Sequence, residues 1–433
     1  MPLPPPPPSV EKVIRGLAEA NSRHKDRHRS SGFNFALADS IEFLNPAHWD
    51  ELTKPASIFL QRPYLSVLEQ TAPDNLSPRY ALIYRDSKPV AAMAGQILRV
   101  SGERFLPASE PEPSVKGPGW IKGAVKRTVN KVRSNALSRM QLQVFICGNF
   151  LSWGHHGVAF APDENQADIW PGIAEAIYRI RRAEKLSGQT DFAVIRDIPE
   201  DQPDAARMLR RFSYRPYKSE PDMVLEFAPS WRKYDDYLAG LNKKYRKAAK
   251  GIDSSLEQTG CKVERLKTLE PHAARLHELY LQVHQRNALR LATLRPGYIP
   301  GLAKSFGDHF CCTVVKRGDD ILGFVTTLRD RDTGIGYFIG YDDKANADLP
   351  VYLRLLSAVI SDALSMGCRR VTYGRTALEP KARLGAQPTP YKVMIRHRNP
   401  VINALIPNLL QGLIPNQQPP ERKPFKEAPD EKS

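Results

Sequence analysis

Cysteine is scarce in this chain and unpaired in pattern. The five residues Cys147, Cys261, Cys311, Cys312 and Cys368 are odd in number and include no CxxC spacing. Neither a disulfide framework nor a zinc site is expected from them. Cys311 and Cys312, adjacent in a strand pattern, should face opposite ways. Long apolar runs are also missing, since nothing reaches the roughly 20 residues that a spanning helix needs. The best stretch, 401–414, is interrupted by Asn403, Pro407, Asn408, Gln411 and Gly412. No secretory signal is visible, because the N-terminus is a proline run followed by polar and basic residues. The expected location is cytoplasmic, with peripheral contact at the inner face of a membrane left open.

Acidic residues are short too. Against 63 Lys and Arg stand 47 Asp and Glu, a formal net charge of +16 over 433 residues. This implies an anionic partner such as RNA, coenzyme A or acidic lipid, unless the surface and tails are merely basic. The imbalance is greatest in 114–140, which holds Lys116, Lys122, Lys126, Arg127, Lys131, Arg133 and Arg139 and no acidic residue. Ile121, Val125, Val129, Val132, Ala136 and Met140 recur there at helical spacing. A basic helix with one apolar stripe suits an anionic bilayer, a packed helix with a solvated face, or RNA.

What is present is a repeat. Pro171, Gly188 and Arg196 recur at the same offsets as Pro350, Gly367 and Arg375. Each copy reads as an apolar strand (142–147 or 335–339), a polar loop, a helix and a second strand (192–195 or 371–373). The helix face is carried by Ile173, Ile177 and Ile180 in one copy and by Leu353, Leu356 and Ile360 in the other. Strand, helix and strand make a crossover unit, whose functional residues belong at the strand carboxyl ends. Hairpins are expected from 81–84 and 90–98 about Lys88 and Pro89, and from 310–315 and 321–328 across Arg317-Gly318-Asp319-Asp320. Residues 231–260 read as helical, as do 271–287.

Several residues carry a family likeness: the strand 337–341, Pro350-Val351-Tyr352 opening a helix, Gly367, and Val371-Thr372-Tyr373-Gly374-Arg375 followed by Lys381. Tyr237-Leu238, Leu241, Lys243 and Arg246 add a basic helix upstream. Over roughly residues 40–400 the chain resembles the GNAT acyltransferase superfamily, and more closely the two-domain Fem-like aminoacyltransferases of peptidoglycan assembly. The resemblance implies an α/β (α+β) fold of two tandem GNAT-like domains, each a mixed twisted sheet flanked by helices. The expected division is a Pro-rich basic tail 1–32, an N-terminal domain 33–229 with the insertion 114–140, and a basic helical linker 230–260. A C-terminal catalytic domain 261–400 and an apolar segment with a disordered tail 401–433 follow.

By that resemblance the donor enters where the strands at 334–340 and 370–374 splay apart. The catalytic candidates are Tyr341, Asp342 and Glu379, a carboxylate serving as proton acceptor for the amine. The donor- or substrate-binding candidates are Lys243, Arg246, Pro350, Tyr352, Arg375, Lys381 and Arg383. Arg375 and Lys381 would hold phosphate or carboxylate, or else form a salt bridge with Glu379. His284 is a weaker base candidate, and the pair His155-His156 lacks a third metal ligand. No permanent cofactor or metal is implied. The implied reaction moves an acyl group, from acyl-CoA in preference, to an amine on a large or lipid-linked acceptor. The alternatives are aminoacyl transfer from charged tRNA and a non-catalytic membrane or nucleic-acid binding module. One departure bears on the donor: no glycine lies between Gly340 and Gly367, where the superfamily cradles pyrophosphate.

Overall fold

A computed structural model describes residues 30–101, 141–200, 202–286, 290–410 and 421–426. The insertion expected at 114–140, residues 1–29 of the expected tail, and 411–420 and 427–433 of the last segment lie outside the described residues. The first half runs β1 (Asn34–Ala38), α1 (Pro46–Thr53), α2 (Arg62–Thr71), β2 (Leu76–Arg85), β3 (Lys88–Ser101), β4 (Gln141–Cys147), β5 (Val158–Phe160), α3 (Gln166–Ala183), β6 (Phe192–Pro199), α4 (Pro203–Arg211), β7 (Arg215–Lys218) and β8 (Asp222–Glu226). Two helices, α5 (Tyr234–Gly240) and α6 (Lys243–Gln258), bridge the halves. The second half runs β9 (Cys261–Arg265), α7 (Ala273–Arg286), α8 (Tyr298–Phe306), β10 (Phe310–Arg317), β11 (Asp320–Asp330), β12 (Thr333–Tyr341), α9 (Asp343–Asp348), α10 (Val351–Ser365), β13 (Arg370–Thr372), α11 (Leu378–Arg383), β14 (Gln387–Thr389), β15 (Tyr391–His397) and α12 (Pro400–Leu410).

The strands form two mixed sheets, ordered β1-β2-β3-β4-β6-β15-β7 with β5 on β3, and β14-β8-β13-β12-β11-β10-β9. Each sheet therefore borrows a strand. β8, from the first half, pairs with β13 and β14, while β15, from the end of the second half, lies between β6 and β7. α3 and α4 cover the outer face of the first sheet, and α10, α5 and α6 that of the second. Between the sheets lies a shared core in which Trp49, Tyr64 and Leu68 of the first half meet Tyr298, Leu302, Phe324 and Tyr337 of the second. Cys311 and Cys312 do face opposite sides, and both are buried because β10 is covered on both faces.

Local chemistry moves some expected boundaries. The first hairpin turns at Asp86 and Ser87, whose φ of 47° and 69° give the two left-handed residues of a tight turn, so Lys88 and Pro89 belong to β3. Pro171 does not open α3. The Asn165 side chain caps the helix through the Ala167 amide, and Pro171 sits inside it. The helical stretch 231–260 is broken at Leu241, after which Asn242 caps α6 through the Tyr245 amide.

Candidate active site

β12 and β13 run parallel and pair only at Thr333, Gly334 and Ile335 against Arg370, Val371 and Thr372. Beyond Ile335, β12 continues to Tyr341 on β11 alone, while the chain after Thr372 turns away through Gly374, Thr376 and Ala377, with φ of 69°, 65° and 46°, into α11. The strands thus splay, and a cavity of about 560 Å³ fills the gap. Gly336 to Ile339 and Leu356 and Val359 of α10 line its base, Tyr280 and His284 of α7 one wall, and Phe150 to Trp153 of the first half its far side. Gly340 lets α7 reach the strand, since a Cβ there would stand 2.6 Å from the Leu279 and Tyr280 backbone.

Four charged residues gather around the opening. Arg196 and Arg375, the repeated arginines, both line the cavity, and between them lies Asp197, which has no solvent exposure. Asp197 pairs with Arg375, stands 3.6 Å from Arg196 and accepts the Gly154 amide at 3.0 Å. Burial opposes its charge, but the two guanidiniums outweigh burial and hold the carboxyl below its usual range. The Nε of Arg375 is buried with no partner, a donor left over at the cavity. Lys381 also lines it, with Nζ donating to the carbonyls of Gly374 at 3.1 Å and Arg375 at 2.6 Å. Burial pulls its ammonium down to about 8, partly offset by Asp222 and Glu220.

A second cavity of about 300 Å³ lies on the other side of Trp153, between the sheets. The indole donates to Thr372 Oγ1 at 2.8 Å, and Thr372 in turn donates to the buried Asp222. Gly374 is required against that indole, because a Cβ would come within 2.8 Å of it. His155 and His156 line this cavity with Asp222, Glu226 and Asp330. Both imidazoles keep some surface at the cavity, yet His155 Nδ1 and Nε2 and His156 Nδ1 are cut off from solvent without a well-formed hydrogen bond. The Arg196 backbone and the Trp170 ring, at a centroid distance of 6.2 Å, stand beside the His155 ring. Burial lowers both, His156 to about 4, so both are neutral near pH 7. Behind the two cavities, Tyr64, Tyr298 and Tyr337 join hydroxyls at 2.7–3.2 Å, and the Asn149 side chain donates to Tyr64 at 2.7 Å.

Of the residues expected from the sequence, Tyr352, Arg375, Lys381 and the weaker base candidate His284 come together at the first cavity. The others do not line it. Tyr341 stands at the rim against Arg286 and Tyr352, Asp342 caps α9 through the Ala345 amide, and Pro350 caps α10. Glu379 is engaged by Arg383 and Arg422, each at 2.8 Å, so no salt bridge joins it to Arg375 or Lys381. Arg246 donates to the Leu241 carbonyl at 2.7 Å, and Lys243 begins the same helix α6. Sequence reasoning passed over Asp197, Trp153 and Asp222. A signal for Asp197 was present: it holds the same offset after Arg196 as Thr376 after Arg375, and both are left-handed, with φ of 56° and 65°. Among the described residues no group of three His, Cys, Asp or Glu is placed to hold a metal.

Residues 242–393 match the family described as Acetyltransferase (GNAT) domain. No curated protein sequence matches the chain. Among solved structures, FemX is similar over 84% of this chain and 98% of its own, with 10% identity and a TM-score of 0.52. A tandem GNAT protein from the clavulanic acid biosynthesis pathway covers 85% of this chain and 99% of its own, at 12% identity and a TM-score of 0.46. At such identities the likeness is one of fold.

Proposed function

We propose, from the premise that residues 242–393 are a GNAT acetyltransferase domain within a Fem-like tandem fold, that this chain moves an acyl group from an activated donor to an amine on a large or lipid-like acceptor. The observation that carries the reading is the gap between β12 and β13, open and bordered by the unpartnered Nε of Arg375. An acyl carbonyl or the acid group of a donor supplies the acceptor that this N–H lacks. The amine approaches from the inter-sheet cavity past Trp153. A carbon–nitrogen bond forms as the carbon–sulfur or carbon–oxygen bond to the carrier breaks, and the amine's proton passes to the departing carrier. A neutral imidazole of His155 or His156 relays that proton, for which a depressed basicity keeps a lone pair free at neutral pH.

Acyl-CoA is the favoured donor, and one observation supports charged tRNA instead. The Tyr352 amide in the first turn of α10 is capped by Asn346 Oδ1 at 2.8 Å, and the acidic α9 precedes it, which disfavours a phosphate there. A thermal-shift screen separates the two. Saturating acyl-CoA should raise the melting temperature if it is the donor, by about 2.7 kcal/mol of stabilisation at a hundred times Kd. Protection by charged tRNA alone would select the second donor. Protection by neither would leave the fold a binding module and refute acyl transfer.

A further inference from the structure

The far end of the first sheet carries a second basic site that acyl transfer does not use. A cavity of about 490 Å³ is lined there by Arg181 and Arg182 in the last turn of α3, Lys185 just after it, Arg396 of β15 and Arg398 just beyond that strand, with Thr190 between them. It lies opposite the active cleft along β6, whose residue 193 pairs with Arg396 while Asp197 sits about 13 Å further on. Five cations face very little negative charge. Asp191 is committed to Arg398 at 2.9 Å and to the Gln143 amide at 3.2 Å. Glu184, beside Lys185, is taken by Arg79 at 2.5 Å and Arg99 at 3.8 Å. Arg181 gives Nη2 to the Thr190 carbonyl at 3.0 Å, but its buried Nε and the buried Thr190 hydroxyl have no partner. Burial first, and then Arg396 and Arg398 against the opposing pull of Tyr214 and Asp191, make the Arg181 guanidinium harder to keep charged. Two spare donors among crowded cations call for an anion with several acceptor oxygens.

The surroundings say where that anion resides. Leu186 is 99% exposed in the turn after α3, and Val401, Leu405 and Ile402 of α12 are 69%, 47% and 38% exposed. Both segments leave the same end of the sheet, joined by the Arg398 amide on the Asp191 carbonyl at 2.9 Å. A soluble phosphate would gain nothing from these apolar side chains, and neither would a nucleic-acid backbone. An anionic bilayer uses both.

We infer that this end of the first sheet docks on an anionic phospholipid surface, a lipid phosphate seated among Arg181, Arg182, Lys185 and Arg396, with Leu186, Val401 and Leu405 entering the acyl boundary. The inference does not depend on which donor the active cleft takes. Its test is co-sedimentation of the full chain with vesicles of phosphatidylcholine alone and with added phosphatidylglycerol. Binding is expected only to the anionic vesicles, falling about tenfold or more in the R182E/K185E/R396E variant. It should also fall several-fold in the L186S/V401S variant, which keeps every charge. Circular dichroism establishes that each variant is folded. Equal binding by the folded charge variant and the parent, or no binding by the parent, would overturn the inference. Loss in the charge variant with none in L186S/V401S, together with competition by inorganic phosphate or RNA, would overturn it in favour of a soluble polyanion.

Discussion

At the residue scale the cleft depends on a few buried charges. Asp197 is the only carboxylate among the described residues that stands against both Arg196 and Arg375. Asp197→Asn should cost about 3–5 kcal/mol in urea unfolding, because it leaves two guanidiniums poorly compensated. A loss below about 1 kcal/mol would show that solvent already screens them. His156 sets a pH dependence. Its folded basicity lies near 4 against 6.5 unfolded, with Asp330, Asp197 and His155 the charged or titratable neighbours. Between those values the unfolded chain binds a proton that the folded chain refuses. Stability should thus be full above about pH 6.5 and fall by up to about 3 kcal/mol as pH drops toward 4. His156→Gln should flatten that slope in urea titrations at pH 7.5 and 5. Arg375 and Lys381 were legible in the sequence through the repeat and the family pattern, whereas their partners were not. The partner of Arg375 comes from the other half, and Lys381 binds backbone carbonyls, which no residue pattern encodes.

At the scale of elements, glycines separate close approach from mere flexibility. Gly340→Ala would drive a methyl into the α7 backbone and should cost about 1–3 kcal/mol, more if α7 must shift. Gly251→Ala lies in open space on α6 and should stabilise by about 0.5–1 kcal/mol. Comparing the two melting temperatures with the parent checks both signs. The crossover units, the buried face of α3 and the second hairpin could be read from periodicity because each signal is local, whereas Leu353, expected on the buried face of α10 with Leu356 and Ile360, is exposed. Trp153 and the splay could not. The indole's place is fixed by Thr372, far along the chain, and the parting of the strands by the left-handed run from Gly374 to Ala377.

For the whole molecule the strand exchange makes the halves interdependent. β8 and β15 each sit inside the other half's sheet, so a cut by sequence leaves both sheets open. Removing residues 390–433 should abolish cooperative unfolding of the first sheet, measured by thermal denaturation, although β15 is distant in sequence from the strands it joins. A separate folded transition retained by that truncation would show that β15 is dispensable. The exchange was invisible to a reading by segments, since the echo of Pro216-Tyr217-Lys218 in Pro390-Tyr391-Lys392 marks similar strands without saying that β7 and β15 pair side by side. The central claim, that the donor occupies the gap between β12 and β13, is tested most directly by a crystal structure with a non-hydrolysable donor analogue. Density is expected between Gly336–Ile339 and Gly374, with an acceptor oxygen on Arg375 Nε. A gap closed by side chains with the analogue bound elsewhere would contradict it.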